Sequence, residues 1–233
     1  MKRKLRWLLA SAVAMAPQGV RAGEESVYDF LWLDPDKAVY VLQNKIHKKE
    51  SSLYVDVGYL SSLTGAFQDT NGVAVKAGYY FHEEWAVEMM YLGYNNRKND
   101  NYRNVQLLNT GVPFVRRPES TLGAGIVWSP FYGKINTFNK IVYFDWSFGA
   151  GLAQVRTSSN LKSVTTSGAQ DSYKIETNTG AYLKSAFKFH LNQHWHLGVE
   201  WVGTYYKAPG PKNPTQDKVR SQNDLILQVG WSY

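Results

Sequence analysis

From Ser52 to the end of the chain, apolar and polar residues alternate with a period of two. Between Leu53 and Tyr59 every odd position is apolar or aromatic, whereas the even positions carry Asp56 and Gly58. Such alternation is typical of strands with one face in apolar surroundings. Eight segments follow this pattern and are predicted to be strands: 53–59, 73–81, 85–94, 121–128, 141–153, 179–190, 194–206 and 225–233.

The connections between these segments alternate between short and long. Predicted turns at 82–84, 131–140 and 191–193 alternate with predicted loops at 64–72, 95–120, 157–178 and 207–223. An even number of strands, with short turns at one end and long loops at the other, is typical of outer-membrane barrels. We therefore predict an all-β, eight-stranded antiparallel up-and-down transmembrane β-barrel over residues 52–233. A soluble eight-stranded barrel or sandwich is the alternative.

Aromatic residues collect at the strand ends of this predicted barrel. If the short turns face the periplasm, every outward position near that end is aromatic, which is the composition of an interfacial girdle. The predicted periplasmic girdle comprises Phe81, Trp85, Trp128, Phe144, Phe189, Trp195, Trp231 and Tyr233. Tyr59, Tyr91 and Tyr205 predict a thinner belt at the opposite end.

The inward positions of the same strands carry charged residues. They are Asp56, Lys76, Glu88, Asp145, Lys184, Lys188 and Glu200, which makes four carboxylates against three lysines. An eight-stranded lumen is narrow enough for side chains to fill it, and buried charges persist only when they are paired. The near balance of sign predicts a closed lumen cross-linked by ion pairs. A narrow ion path is the alternative, and a wide pore would need more strands.

The N-terminal residues are predicted to direct secretion. Residues 1–22 contain a basic start, an apolar stretch over 7–16 and small residues before a cleavage point after Ala22, as in a signal peptide. Cleavage removes five cations and lowers the net charge from +7 to +2, so the basic balance does not indicate a nucleic-acid partner. Residues 23–51 then form a short periplasmic extension. The extension either plugs the barrel mouth or docks on another envelope protein, and Val39 to Leu42 fits a helix or a strand.

Candidate chemistry is sparse. The chain has no cysteine, which excludes disulfides and thiolate sites. All five histidines, His47, His82, His190, His194 and His196, fall at the predicted periplasmic end. A lipid A-modifying enzyme facing the outer leaflet would therefore lack its general base. The spacing of the last three histidines permits a metal site, but turn and interface histidines are far commoner, so neither a metal nor a cofactor is predicted.

Cations in the 95–120 loop offer a surface for lipopolysaccharide. The residues are Arg97, Lys98, Arg103, Arg116 and Arg117, against Asp100 and Glu119. Arginine binds phosphate through two parallel hydrogen bonds, so these side chains are candidates to contact lipopolysaccharide phosphates. The equally weighted alternative is that they only keep a long loop soluble.

Three segments resemble a known bacterial family. The run from Trp128 to Asp145, the lead-in Val39 to Ile46 and the hairpin Tyr79 to Glu88 are similar to the "outer membrane beta-barrel domain" proteins of delta-proteobacteria. The resemblance implies an outer-membrane barrel and brings no catalytic residues with it. The last strand, which ends on Tyr233, also resembles the signal read by the outer-membrane assembly machinery, except that Gly230 departs from its usual register.

Together these features predict a non-enzymatic protein of the bacterial outer membrane with an envelope structural or interaction role. Its expected partners are outer-membrane lipid and lipopolysaccharide, the assembly machinery during biogenesis, and a periplasmic protein reached through 23–51. A narrow channel ranks second and a lipid A-modifying enzyme third.

Overall fold

The computed structural model describes residues 45–109, 112–137, 140–165, 172–211 and 213–233. In these ranges the chain forms eight strands and two helices. They are β1 (Ser52–Ser62), β2 (Gln68–His82), β3 (Trp85–Lys98), α1 (Asp100–Asn109), β4 (Arg116–Thr137), β5 (Lys140–Ser159), α2 (Leu161–Thr165), β6 (Lys174–His190), β7 (Trp195–Gly210) and β8 (Asn213–Ser232). Neither helix has the length and apolar character needed to span a bilayer. The predicted signal peptide and residues 23–44 of the predicted extension lie outside the described residues.

Each strand pairs antiparallel with the next in sequence, and β1 closes the barrel by pairing with β8. Val57, for example, lies opposite Val75 on β2 and Val229 on β8. The predicted eight-stranded antiparallel up-and-down barrel is therefore confirmed. The two ends of the barrel are named here by their connections: the short-turn end contains the β2–β3 and β6–β7 turns, and the long-loop end contains α1 and α2.

The period-two alternation separates an apolar outer wall from a filled interior. Val57, Met89 and Leu152 point outward and are 54%, 60% and 70% exposed. The inward residues that alternate with such positions along each strand, for example Asp56 and Glu88, are buried. This inside-out distribution is the one expected of a barrel surrounded by hydrocarbon.

Several strands are longer than predicted at the long-loop end. β3 continues to Lys98, β4 begins at Arg116, and β8 begins at Asn213. Both ends of the predicted loop 95–120 and most of the described residues of the predicted loop 207–223 are therefore paired strand. The backbones of these extensions are paired with neighbouring strands, but neither face of the extensions borders an apolar environment. Their sequence therefore loses the alternation by which the strands were identified.

The described residues of the predicted turn at 131–140 are also strand. After a register shift between Trp128 and Phe131, β4 and β5 stay paired from Phe131 with Trp146 to Thr137 with Lys140. β3 ends opposite Trp128 on one side, and β6 ends opposite Tyr143 on the other. Residues 132–137 of β4 and 140–142 of β5 therefore extend past both neighbouring strands at the short-turn end.

Candidate functional site

The seven charged residues predicted to face inward all lie inside the barrel. Each has a relative exposure of 7% or less, and they are Asp56, Lys76, Glu88, Asp145, Lys184, Lys188 and Glu200. The strands bring them to the short-turn half of the lumen, because the inward positions closer to the long-loop end on β1, β3, β7 and β8 carry other residues. The lumen is the candidate functional site.

Four of these charges form a quartet at mid-lumen. Lys76 Nζ lies 2.7 Å from Glu200 Oε2, and both side chains are fully shielded. Lys184 Nζ contacts the same oxygen of Glu200 at 3.4 Å and is also ion-paired with Glu88. The Tyr54 hydroxyl donates a 2.6 Å hydrogen bond to the other oxygen of Glu88. Two lysines thus balance two glutamates, which is the condition under which buried charges are tolerated.

Asp56 organises a second group, next to the quartet on the short-turn side. One of its oxygens lies 2.9 Å from Lys188 Nζ, and the other lies 2.6 Å from His196 Nε2. Lys188 also sits 3.9 Å from the centroid of the Tyr54 ring, a cation–π contact. The carboxylate is thereby bonded through both oxygens. The sequence places His196 at the predicted periplasmic end but does not identify Asp56 as its partner.

Asp145 forms the third group at the mouth of the barrel. It accepts from Lys49 Nζ at 2.8 Å, and its other oxygen lies 2.8 Å from His190 Nε2. Lys49 was missed as a site residue, because it precedes the first strand and reads as part of a solvated lysine cluster. Only the closure of the barrel brings residue 49 next to residue 145.

Lys49 belongs to a strap, residues 46–51, that crosses this mouth. His47 stacks on His190 with ring centroids 4.4 Å apart, and it meets the Tyr143 ring of β5 edge-on at 5.5 Å. At the far side, the backbone of Lys49 donates to the Glu83 carboxylate in the β2–β3 turn at 3.0 Å. Burial and the neighbouring His190 lower the pKa of His47, and Asp145 opposes that shift.

An apolar layer fills the lumen on the other side of the quartet. The side chains of this layer are almost completely buried. They are Leu60, Ala74, Met90, Leu92, Ala153, Val155, Tyr182, Val202, Tyr206, Ala208 and Ile226. Along β3 the inward order from the short-turn end is Glu88, Met90 and Leu92, so the layer follows the charges directly. The alternation in the sequence predicted the charged residues of the lumen but not this apolar layer. The doubled apolar positions Met89-Met90 and Leu225-Ile226-Leu227 are the sequence signal that was overlooked.

A polar layer closes the long-loop end. Arg116 forms an ion pair with Glu176 and donates to the Pro209 carbonyl at 3.1 Å. The Tyr94 hydroxyl donates to the buried Asp224 at 2.7 Å. The placement of Arg116 corrects its assignment as a lipopolysaccharide contact: its side chain is 7% exposed and points into the barrel, because β4 already begins at this residue.

The other candidate loop cations lie at the surface in different settings. Arg97 is exposed at the end of β3, and Arg103 is exposed on α1 with Asp100 at 3.5 Å. Lys98 donates to the Tyr102 hydroxyl at 3.0 Å, and Arg117 lies over the Tyr173 ring at 3.7 Å. They do not converge into one cluster.

The predicted girdle residues face outward around the short-turn end. Six of the eight, Phe81, Trp85, Trp128, Trp195, Trp231 and Tyr233, are at least 38% exposed. Phe144 and Phe189 are half-buried because their rings pack together at 6.1 Å. Trp146, Phe148 and Phe187 add a second aromatic row above Phe144 on β5 and β6.

The histidines at the short-turn end do not build a metal centre. His190 and His196 have ring centroids 6.2 Å apart and bond different aspartates, whereas His194 bonds the Ser232 carbonyl. Among the described residues, no three His, Asp or Glu side chains converge in a way that would hold a metal ion.

No family model matches the chain, and no curated protein matches it. Among solved structures, the N-terminal β-barrel domain of Pseudomonas aeruginosa OprF is similar with a TM-score of 0.48 and 11% identity, over 79% of this chain and 98% of that domain. The outer membrane protein OprG of Pseudomonas aeruginosa gives a TM-score of 0.45 and 15% identity, over 80% and 98%. Neisserial surface protein A is similar with a TM-score of 0.44 and 15% identity, over 78% of this chain and 94% of that protein.

Proposed function

We propose that this chain is a closed barrel of the bacterial outer membrane with a non-enzymatic structural or interaction role in the envelope. The observation that carries this proposal is the filling of the lumen. Three groups of ion pairs occupy its short-turn half, and an apolar layer follows them. Ions cross neither a packed apolar layer nor a set of mutually neutralised charges at low cost.

The outer wall supports the membrane location. Its aromatic girdle and its exposed aliphatic residues match the lipid-facing band of a transmembrane barrel. In this orientation the short-turn end is periplasmic, residues 1–22 are the cleaved signal peptide, and residues 23–51 are a periplasmic extension. The strap is the part of that extension whose contacts with the barrel are described, and it closes the mouth.

Planar-bilayer recording tests the closed lumen. The mature chain, residues 23–233, is expected to give no single-channel steps. Steps whose amplitude changes in Lys184→Ala or Glu200→Ala would contradict the closed lumen and favour the narrow channel instead. Leu152→Ala on the outer wall is the control, because it leaves the lumen unaltered.

Arg97 and Arg103 support a contact with lipopolysaccharide through their exposed guanidinium groups. We expect Arg97→Ala/Arg103→Ala to bind immobilised lipopolysaccharide more weakly, and the loss to shrink as salt rises. Arg116→Ala is the matched comparison, since that buried arginine is expected to affect stability rather than binding. Equal losses in both variants would argue against a surface contact.

Two further partners belong to the proposal. β8 ends the barrel with outward Leu227, Val229 and Trp231, which supports its recognition by the assembly machinery. Residues 23–51 are proposed to reach a periplasmic protein. Pull-down from envelope extracts with the mature chain and with a chain that lacks residues 23–45 tests this, since the shorter chain keeps the strap. A partner retained equally by both would place its binding site elsewhere.

A further inference from the structure

A groove of about 460 Å³ lies on the outer wall where β1, β2, β3 and β4 approach the long-loop end. In one cross-strand row, Tyr59 pairs with Val73, Val73 with Gly93, and Gly93 with Ser120. Gly93 and Ser120 leave a gap beside the larger outward side chains of Val73 and Tyr91. The volume falls within the range of roughly 300–1,000 Å³ typical of small-molecule sites.

The barrel does not require glycine at residue 93. A Cβ built there would lie 3.4 Å from Tyr91 Cε1 and 3.7 Å from Val73 Cγ2, which are ordinary contacts. At neighbouring Gly72, by contrast, a Cβ would overlap the Gly93 carbonyl oxygen, so that glycine is needed for strand packing. What glycine provides at position 93 is open space between two tyrosines.

The surroundings of the groove change character along the barrel axis. The row below it is apolar and exposed, with Val57, Val75, Tyr91 and Leu122 in sequence across the four strands. The row above carries Ser61, Asn71 and Asn95. Tyr59 and Tyr91 mark the step between the two and are 56% and 47% exposed.

Three polar side chains line the rim. Within the described part of the chain, Asn71, Asn95 and Glu119 make no side-chain hydrogen bond or ion pair. The amides offer donors and acceptors, and the carboxylate offers acceptors. Among the residues that the structure describes, no lysine or arginine lines the groove. A phosphate would therefore meet a carboxylate without a compensating cation, whereas sugar hydroxyl groups would find both donors and acceptors.

We infer that this groove binds the acylated sugar of a membrane glycolipid. The apolar face of the sugar ring packs against Tyr59 and Tyr91, its hydroxyls bond the rim, and its fatty chains run down the wall over Val75. The inference rests on the proposed outer-membrane location and deepens the proposed lipopolysaccharide contact. Arg97 is the next outward residue after Asn95 on β3, toward the long-loop end. A phosphate of the same lipid that lies farther from the acyl chains than the bound sugar would reach it.

Titrations followed by NMR in phosphocholine micelles test this inference. The probes are decyl β-glucoside and decyl phosphate, which share one alkyl chain and differ in headgroup. We expect the glucoside to shift the backbone amide of Gly93 and the side-chain amides of Asn71 and Asn95 saturably, and the phosphate to bind about ten-fold more weakly. Equal binding of the two probes, or shifts that do not saturate, would overturn the proposal.

Filling the groove provides the matched comparison. Gly93→Leu is expected to weaken glucoside binding about ten-fold, whereas Ala181→Leu is expected to leave it unchanged. Ala181 is an exposed outward residue paired with Tyr205, so it lies at the same belt on the opposite wall. Asn71→Ala/Asn95→Ala removes two rim side chains without changing Gly93, and it is expected to weaken glucoside binding by a similar factor. This variant therefore tests the groove even if Gly93→Leu does not fold.

A similar loss in Gly93→Leu and Ala181→Leu, or no loss in Asn71→Ala/Asn95→Ala, would contradict a specific groove. None of these substitutions touches the lumen. If the titrations show no specific groove, the bilayer recordings are still expected to show no single-channel steps. Conversely, single-channel steps would contradict the closed lumen without contradicting the groove.

Discussion

Lys76 Nζ lies 2.7 Å from Glu200 Oε2 at the centre of the barrel, and neither side chain is accessible to solvent. The pair belongs to a quartet with Glu88 and Lys184, in which positive and negative charges are equal in number. Loss of one member leaves a buried charge without compensation, whereas loss of an opposite pair preserves neutrality. Stability should therefore depend on the balance of the quartet more than on any one residue.

Lys76→Met is expected to lower the free energy of unfolding by about 3–5 kcal/mol, since it leaves two carboxylates facing one lysine. Lys76→Met/Glu200→Leu should recover most of that loss, because Lys184 and Glu88 remain paired. Urea unfolding in lipid vesicles, followed by tryptophan fluorescence, measures both variants. A double variant at least as unstable as the sum of its single variants would show that charge balance does not control stability.

The apolar layer predicts a difference between inward and outward leucines. Leu92 is completely buried in the lumen, and Leu92→Ala should cost about 2–5 kcal/mol because it opens a cavity. Leu152 is 70% exposed on the outer wall, where lipid refills the space, so Leu152→Ala should cost clearly less. The same unfolding measurement compares the two. Equal costs would mean that the layer is loosely packed.

Gly230 has a packing role that explains its departure from the C-terminal signal. A Cβ on this residue would overlap Asp56 Oδ1 and lie 2.6 Å from His196 Cε1. Gly230→Ala should therefore separate Asp56 from His196 and destabilise the barrel by about 1–3 kcal/mol. Gly93→Ala is the control: its Cβ meets only ordinary contacts, and alanine in a strand is favoured over glycine by about 0.5–1 kcal/mol. Tolerance of both substitutions would contradict the assigned role of Gly230.

The strap should loosen in acid. The pKa of His47 is lowered from its ordinary value of 6.5 in the packed strap, so the released strap binds more protons. Packing is therefore favoured above 6.5 and is lost as the pH falls through the lowered pKa. Protection factors from hydrogen exchange at the Ser51 amide, which donates to the Tyr80 carbonyl at 2.8 Å, measure the opening.

His47→Gln separates this effect from other titrations at the same mouth. His190 and Asp145 face His47 from the barrel, and Lys49 of the strap itself bonds the same Asp145, so all three lie in the charged surroundings of His47. His47→Gln should flatten the pH dependence, whereas His194→Gln, in the exposed β6–β7 turn, should retain it. An unchanged pH dependence in His47→Gln would assign the response to another group.

The sequence by itself determined the number of strands, their order and the direction in which most side chains point. Because the strands separate hydrocarbon from a filled lumen, apolar and polar residues alternate along each strand with a period of two. That alternation can be recognised in each strand by itself. The inward positions of Asp56 and Glu200 follow from it directly. The strand ends were misjudged at 131–140 and 207–223, since strands that extend beyond the wall have no apolar face to mark them.

Only the tertiary structure decided which charges meet. Asp145 pairs with Lys49 across 96 residues, and Asp56 with His196 across 140, because closure of the barrel and its register bring distant strands to one level. The inward placement of Arg116 and the apolar layer were decided in the same way. Each depends on the height at which a side chain enters the lumen, and that height is set by the register of eight strands together rather than by the pattern of any one.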